Sequence, residues 1–164
     1  MWRYNSINYN DTANAPGFAV SIYLQGCPHH CKGCFNPETW DFNGGQEFTE
    51  ELLKNVKEKL YANGIKRSLC ILGGEPLHEK NLEVLTNIIA TIPNEIKIYV
   101  WTGYTLEELV AKEDLRINWI LNHIDYLIDG LFIEEERDIT LKMRGSRNQR
   151  IWDLNNKIDI TDNF

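Results

Sequence analysis

The sequence predicts an α/β protein built on a parallel sheet with helical crossovers. Short runs rich in β-branched and aromatic residues alternate with longer stretches whose apolar residues recur every three to four positions. Glycine-bearing turns follow directly after the strand-like runs. The 164 residues fit a single domain spanning 1–164, too short for a closed eightfold barrel of about 250 residues. The expected architecture is an incomplete (β/α) barrel or an open parallel sheet. Its core covers residues 16–154, and residues 155–164 read as a mobile tail.

Each element has its own reason. Phe18 to Gln25 (FAVSIYLQ) reads as a first strand and stops at Gly26. A cysteine-rich loop follows. Thr49 to Asn63 places Leu52, Leu53, Val56 and Leu60 on helical spacing, with Thr49 as cap and Gly64 as stop. Ser68 to Leu72 is a second strand ending in Gly73-Gly74. Glu79 to Ile92 carries Leu82, Leu85, Ile88 and Ile89 on one helical face and is closed by Pro93. Ile96 to Trp101 is a third strand, running into Thr102-Gly103-Tyr104. Leu106 to Ala111 opens a third helical region, continued at Trp119 to Leu121. Tyr126 to Ile128 is a fourth strand before Asp129-Gly130. Residues 134–149 read as a charged loop, and Arg150 to Leu154 as a last short strand. Parallel α/β units gather their working loops at the carboxyl ends of the strands. The segments at Gly26-Cys27, Gly73 to Pro76, Thr102 to Tyr104 and Asp129-Gly130 are therefore expected on one face. Glycines also simply punctuate strand ends, but that does not account for the cysteines.

Composition excludes several classes. Hydrophobic residues are 43% and charged residues 25%, as in ordinary globular domains. The net charge of −7 and the lack of a basic stripe argue against nucleic acid and anionic membranes as partners. No apolar run approaches the ~20 residues of a membrane helix. The opening MWRYNSINYND lacks a signal-peptide core, so a cytoplasmic location is expected.

Three of the four cysteines, Cys27, Cys31 and Cys34, fall in the segment CPHHCKGC. Clustered thiols without an export signal point to metal binding or redox chemistry. Three thiolates from one loop suit three corners of a 4Fe–4S cluster, leaving the fourth iron open to a ligand. A Cys3His zinc site using His29 or His30 is the competing reading, although structural zinc usually takes two separated ligand pairs. A redox thiol is a third, and spacing alone leaves all three open. Cys70, in the apolar run SLCIL, reads as a small buried hydrophobe. His29 and His30 either tune a cluster by hydrogen bonds or supply loop polarity. His78 reads as a helix-entry residue, and Trp40 and Trp101 as core or pocket wall. Thr102, Gly103 and Tyr104 are candidates for an adenosine pocket, with Gly103 equally a turn residue. Asp129 either orients a ribose, binds a cation or forms a turn with Gly130. Glu134 to Glu136 reads as a solvated face. Arg144 to Arg150 reads as a solvated loop or a partner-docking segment.

The triplet C-x3-C-x2-C after a first strand, with Gly73-Gly74-Glu75-Pro76 after the next, resembles the signature of radical S-adenosylmethionine enzymes. Longer segments tighten the match: GCPHHCKGCFNPETWDFNGG, LGGEPLH, VWTGY, IDGLF and RGSRNQR. In this order, from Pro16-Gly17 to Arg150, they resemble the small activating components of anaerobic ribonucleoside-triphosphate reductase. The resemblance implies an incomplete barrel of the radical S-adenosylmethionine type. It implies a 4Fe–4S cluster on Cys27, Cys31 and Cys34, with the amino and carboxylate groups of S-adenosylmethionine on the open iron. It also implies cofactor contacts from Gly33, Cys34, Phe35, Gly73, Gly74, Glu75, Thr102 and Asp129. Glu75 or nearby carbonyls would meet the methionine ammonium. The wider superfamily often carries an aromatic residue just before the third cysteine. Here Gly33 stands there and Phe35 follows, as in the small activases, so Phe35 is the adenine contact that the resemblance offers.

The implied reaction is one-electron cleavage of S-adenosylmethionine to methionine and a 5′-deoxyadenosyl radical, which removes a hydrogen from a glycine Cα. The implied partner is the large catalytic subunit of the reductase. With a single cysteine cluster in the chain, the electron comes from an external donor of the flavodoxin or ferredoxin type. Two alternatives stand beside this: a radical S-adenosylmethionine enzyme acting on a small molecule (the deazapurine-forming type), and a non-catalytic zinc-binding module. The short chain leaves few loops for a small-molecule pocket. Its open side suits a glycine-bearing loop.

Overall fold

A computed structural model describes residues 1–164. In chain order the elements are β1 (Arg3–Asp11), β2 (Ala19–Leu24), β3 (Gln46–Glu47), α1 (Glu50–Lys59), β4 (Ser68–Gly73), α2 (Leu82–Thr91), β5 (Ile98–Trp101), α3 (Leu106–Ala111), α4 (Leu115–His123), β6 (Tyr126–Asp129), β7 (Arg150–Asp153) and β8 (Ile158–Asp159). They form one open sheet in the order β3-β1-β2-β4-β5-β6-β7-β8. The central strands β2, β4, β5 and β6 are parallel, as the alternating pattern predicts.

The flanks are antiparallel, so the sheet is mixed rather than wholly parallel. On one side β1 folds back on β2 and carries β3. The sequence gives little warning of β1, because RYNSINYND is rich in asparagine, a poor strand former. Its pairing with β2 outweighs that local preference. On the other side β7 pairs with β6, and the expected mobile tail is corrected. Ile158–Asp159 pairs with β7, the Ile160 N–H donates to the Ile151 carbonyl at 2.8 Å, and the Thr161 hydroxyl accepts from the Ile151 N–H at 2.8 Å. Alternating polar residues hid this short edge strand.

Each parallel strand lies one place further along the sheet, in the same direction. Right-handed crossovers then put every helix on one face. Strand pleating sorts the side chains accordingly. Val20, Ile22, Leu24, Leu69, Ile71, Ile98, Val100 and Leu127 meet the helices in the main core. Ala19, Cys70, Leu72, Tyr99, Ile128 and Ile151 face the other way, in a smaller cluster completed by loop residues Ala15 and Met143. Cys70 is fully buried, and burial pushes its thiol up to about 12, which fits an inert core residue.

The helix ends follow local chemistry. The Thr49 hydroxyl accepts from the Leu52 N–H at 3.1 Å and starts α1. The helix stops at Lys59, short of the expected Asn63, and Asn63 takes a left-handed turn at φ 59°. The buried Arg67 guanidinium donates to the carbonyls of Lys59, Ala62 and Ile65 and to the Asn10 side chain. It therefore caps α1 and ties it to β1. The third helical region divides into α3 and α4 at Glu113, where φ is 51°. No helix is long and apolar enough to cross a membrane.

Gly73 pairs with Leu24 at the end of β4 and has φ of +102°. A Cβ there would sit 2.8 Å from the Leu24 backbone. Gly17 also has positive φ, +73°, but open space around it. Gly73→Ala is expected to lose roughly 2–4 kcal/mol in urea unfolding, and Gly17→Ala about 1–2 kcal/mol, the left-handed penalty alone.

Candidate metal and cofactor site

The loop leaving β2 carries the three cysteines and is tied back on itself. The Gly26 N–H donates to the Thr39 carbonyl at 2.6 Å, and the Cys27 N–H to the Trp40 carbonyl at 3.1 Å. The Gln25 side chain closes the base of the loop through the carbonyls of Glu38 and Asp41. Backbone amides surround the sulfurs. Those of His29 and His30 serve Cys27, that of Phe132 serves Cys31, and that of Asn36 lies 3.4 Å from the Cys34 Sγ. Hydrogen bonds of this kind tune iron–sulfur clusters. Burial pushes the Cys27 thiol up to about 11 and raises that of Cys31. A bound metal ion displaces such protons outright.

Three soft thiolates in one loop, surrounded by backbone N–H groups, suit a 4Fe–4S cluster. The two histidines of the loop have partners of their own. His29 Nε2 bonds the Glu75 carboxylate at 2.7 Å. The His30 ring stacks on Trp40, with centroids 4.4 Å apart and planes 9° from parallel. Cys70 lies in the core and cannot add a fourth thiol.

Glu75 is fully buried. One oxygen accepts from His29 and from the Gly103 N–H, both at 2.7 Å; the other accepts from the Thr102 hydroxyl at 2.8 Å and the Leu77 N–H at 2.9 Å. Two oxygens with two lone pairs each are thereby filled. The Glu75 carboxylate joins the cysteine loop to the loop after β5 and is not a free partner for an ammonium group. The adjacent glycines have an internal reason too. A Cβ on Gly74 would strike the Gly26 carbonyl, so the loops after β2 and β4 touch backbone to backbone.

Cys27, Cys31, Cys34, Phe35, Gly73, Gly74 and Thr102 line one cavity of about 480 Å³ at the carboxyl ends of the parallel strands, a size suited to a small-molecule cofactor. Phe35 packs against Phe132, with centroids 5.0 Å apart. Three expected site residues lie off the cavity wall. Gly33, at φ +76°, backs onto the Glu134 carboxylate. Glu75 is occupied as described. Asp129 shares the helix-facing side of β6 with Leu127. Its carboxylate accepts from the Leu106 N–H at 2.7 Å and from Arg150 at 2.6 and 3.1 Å. Arg150 also grips Glu107. Asp129 therefore fastens α3 and β7 to the sheet.

Trp40 and Trp101, read from the sequence as core or pocket wall, line the cavity, and the Trp101 Nε1 donates to the Met143 carbonyl at 2.7 Å. The sequence reading missed Tyr23, Leu72 and Met143 as wall residues. Strand alternation carries the signal for Tyr23 and Leu72, since they alternate with the helix-facing residues. Nothing in the sequence signals the docking of 143–149 onto this wall.

A three-thiol loop opens on a cavity at the carboxyl edge of an open α/β sheet, an arrangement that suits an iron–sulfur protein. Residues 13–152 match the family described as "4Fe-4S single cluster domain". Proteins named anaerobic ribonucleoside-triphosphate reductase-activating protein match nearly the whole chain. That of Pasteurella multocida is 39% identical over 154 residues, 90% of this chain and 96% of the relative. That of Vibrio cholerae is 38% identical over 145 residues, 86% and 91% of the two chains. That of enterobacteria phage T4 is 34% identical over 154 residues, 91% and 92%. The chain belongs to the family of anaerobic ribonucleoside-triphosphate reductase-activating proteins.

Glu75→Gln turns two acceptor sites into donors facing donors. It is expected to cost about 2–4 kcal/mol in urea unfolding. A second expectation concerns pH. The hydrogen bonds of Arg150 hold the Glu107 carboxyl down at about 2, against an ordinary 4.5. Because the folded value is depressed, this stabilisation is complete above about pH 4.5 and fades as pH falls toward 2. Wild type and Glu107→Gln should therefore differ most above pH 5 in thermal unfolding and converge near pH 2.

Proposed function

We propose that this chain is a radical-generating activase acting on the large catalytic subunit of an anaerobic ribonucleotide reductase. The observation that carries this reading is the convergence of three cysteine thiols and the Gly73-Gly74 turn on one cavity. Cys27, Cys31 and Cys34 would hold a 4Fe–4S cluster, with one iron left for S-adenosylmethionine. When bound and reduced by an external donor, the cluster supplies the electron that cleaves the sulfonium to methionine and a 5′-deoxyadenosyl radical.

The chain's own residues do the rest. Gly73 and Gly74 present backbone to the methionine end, with no side chain in the way. Phe35 offers an aromatic face to the adenine, beside Phe132. Thr102 stands at the adenosine end, its hydroxyl held by Glu75. Glu75 acts as a positioning residue through His29, setting the cysteine loop against the loop after β5. The largely apolar walls from Leu72, Trp101 and Met143 limit water around a reactive radical. We read the one-sided sheet as an incomplete (β/α) barrel, whose uncovered side gives a glycine-bearing loop of the reductase a way in. With the cofactor bound here, hydrogen-atom abstraction from the glycine Cα of that loop would leave 5′-deoxyadenosine in the cavity and a glycyl radical on the partner.

Anaerobic reconstitution with iron and sulfide is expected to give about four irons per chain. The paramagnetic resonance signal of the reduced cluster should change when S-adenosylmethionine is added. Cys31→Ala should lose the cluster, and with it the glycyl radical signal on the large subunit. Zinc uptake in place of iron, or a cluster indifferent to S-adenosylmethionine, would overturn the reading.

A further inference from the structure

The cavity wall carries one guanidinium with an unused binding edge. Arg144 is the only lysine or arginine lining the cavity. Its Nη1 donates to the carbonyls of Arg147 and Gln149, both at 2.9 Å. These bonds use one corner of the group. The Nε–Nη2 edge has no protein partner, and Nε is buried and unpaired. That edge presents two parallel N–H donors, the pattern that a carboxylate accepts in bidentate fashion. Buried donors are rarely left without an acceptor; of the four side-chain N–H groups left unpaired, at Trp40, Arg67, Arg144 and Trp152, Arg144 Nε is the one guanidinium donor on the cavity wall.

The loop around Arg144 is braced to hold it there. Gln149 Oε1 accepts from the N–H groups of Gly145 and Ser146 at 2.9 and 3.1 Å, and its Nε2 donates to the Gly130 carbonyl at 3.0 Å. A Cβ on Gly145 would strike the Phe35 ring, which places Arg144 close to the cysteine loop. The one carboxylate on the wall, Asp138, is occupied in its own turn. It accepts from the Thr140 N–H at 2.9 Å and hydroxyl at 2.5 Å, and it makes no ion pair with Arg144. His29, the other wall residue able to carry positive charge, is bonded to Glu75.

We propose that Arg144 is the carboxylate subsite of the cavity, receiving the methionine carboxylate of S-adenosylmethionine on Nε and Nη2. This rests on the cofactor reading above. It gives the RGSRNQR segment a task that neither a solvated loop nor a docking segment explains: the Arg147 and Gln149 carbonyls orient this side chain on the cavity wall.

The test is equilibrium binding to the anaerobically reconstituted protein by calorimetry. Two ligands are compared: S-adenosylmethionine, and its decarboxylated form, which keeps the adenosine, the sulfonium and the amine but lacks the carboxylate. Arg144→Gln is expected to weaken S-adenosylmethionine about 10- to 100-fold and to leave the decarboxylated ligand within about threefold. Arg144→Lys keeps the charge without the fork and should fall between the two proteins. Equal weakening of both ligands would mean that the substitution merely collapses the loop, which overturns the assignment. Unchanged S-adenosylmethionine binding overturns it as well. If association with the reductase weakens instead, the fork serves a carboxylate of the partner. Wild-type protein with an intact cluster but no affinity for S-adenosylmethionine would overturn the cofactor reading, and this subsite with it.

Discussion

The Glu75 carboxylate is the point through which the rim of the cavity is joined. A carboxylate removed from water is costly unless its lone pairs are filled by hydrogen bonds. Here they are filled from the cysteine loop, from the loop after β5 and from its own turn. Each donor is fixed by the need to satisfy this one group. The His29 ring is thereby held by its Nε2, and the Thr102–Gly103 turn is held against the Gly73–Gly74 turn. The Asn81 side chain extends the same network by donating to the Glu75 and Gly26 carbonyls at 2.9 and 3.3 Å. Precision at the site thus comes from a buried polar network supported by rigid strands, not from the cysteine loop alone.

Close backbone contact is the complement of that network. Gly26 and Gly74 approach to a distance that no side chain would permit. Gly26 itself is covered by Phe42, whose ring also lies 4.9 Å below the Lys80 ammonium. The glycines in the strand-end turns are thus required by the protein's own packing. The same bareness leaves main-chain polar groups near the cavity, where a zwitterionic ligand can use them. One feature serves both folding and binding, so substitutions there would damage both together.

The one-sided arrangement of helices sets the limits of the site. Because every crossover lies on one face, the other face has only a small apolar cluster and two loops to cover it. The loop at 143–149 supplies part of that cover, and Trp101 anchors it through the Met143 carbonyl. Asp129, Arg150 and Glu107 stabilise the same region from the helix side, tying α3 to β6 and β7. The cavity is therefore walled by loops rather than by a second layer of helices.

The four parallel strands, their crossover helices and the cysteine loop were legible in the sequence. Apolar periodicity and strand-end glycines are local signals, and burial follows them directly. The cysteine triplet narrowed the chemistry to a cluster, zinc or a redox thiol, and the longer motifs around it, not its spacing, selected the cluster. The antiparallel flanks were not legible. Asn-rich β1 and the short β8 gain their stability from partners distant in the chain, which local propensity does not register. Nor could sequence separate Glu75 from Gly74, or Asp129 from Thr102, as cavity residues. All four lie at or just beyond strand ends on the same edge of the sheet. Only the packed structure, through strand parity and the competition among donors for each buried carboxylate, decided that Gly74 and Thr102 face the cavity while Glu75 and Asp129 hold its frame.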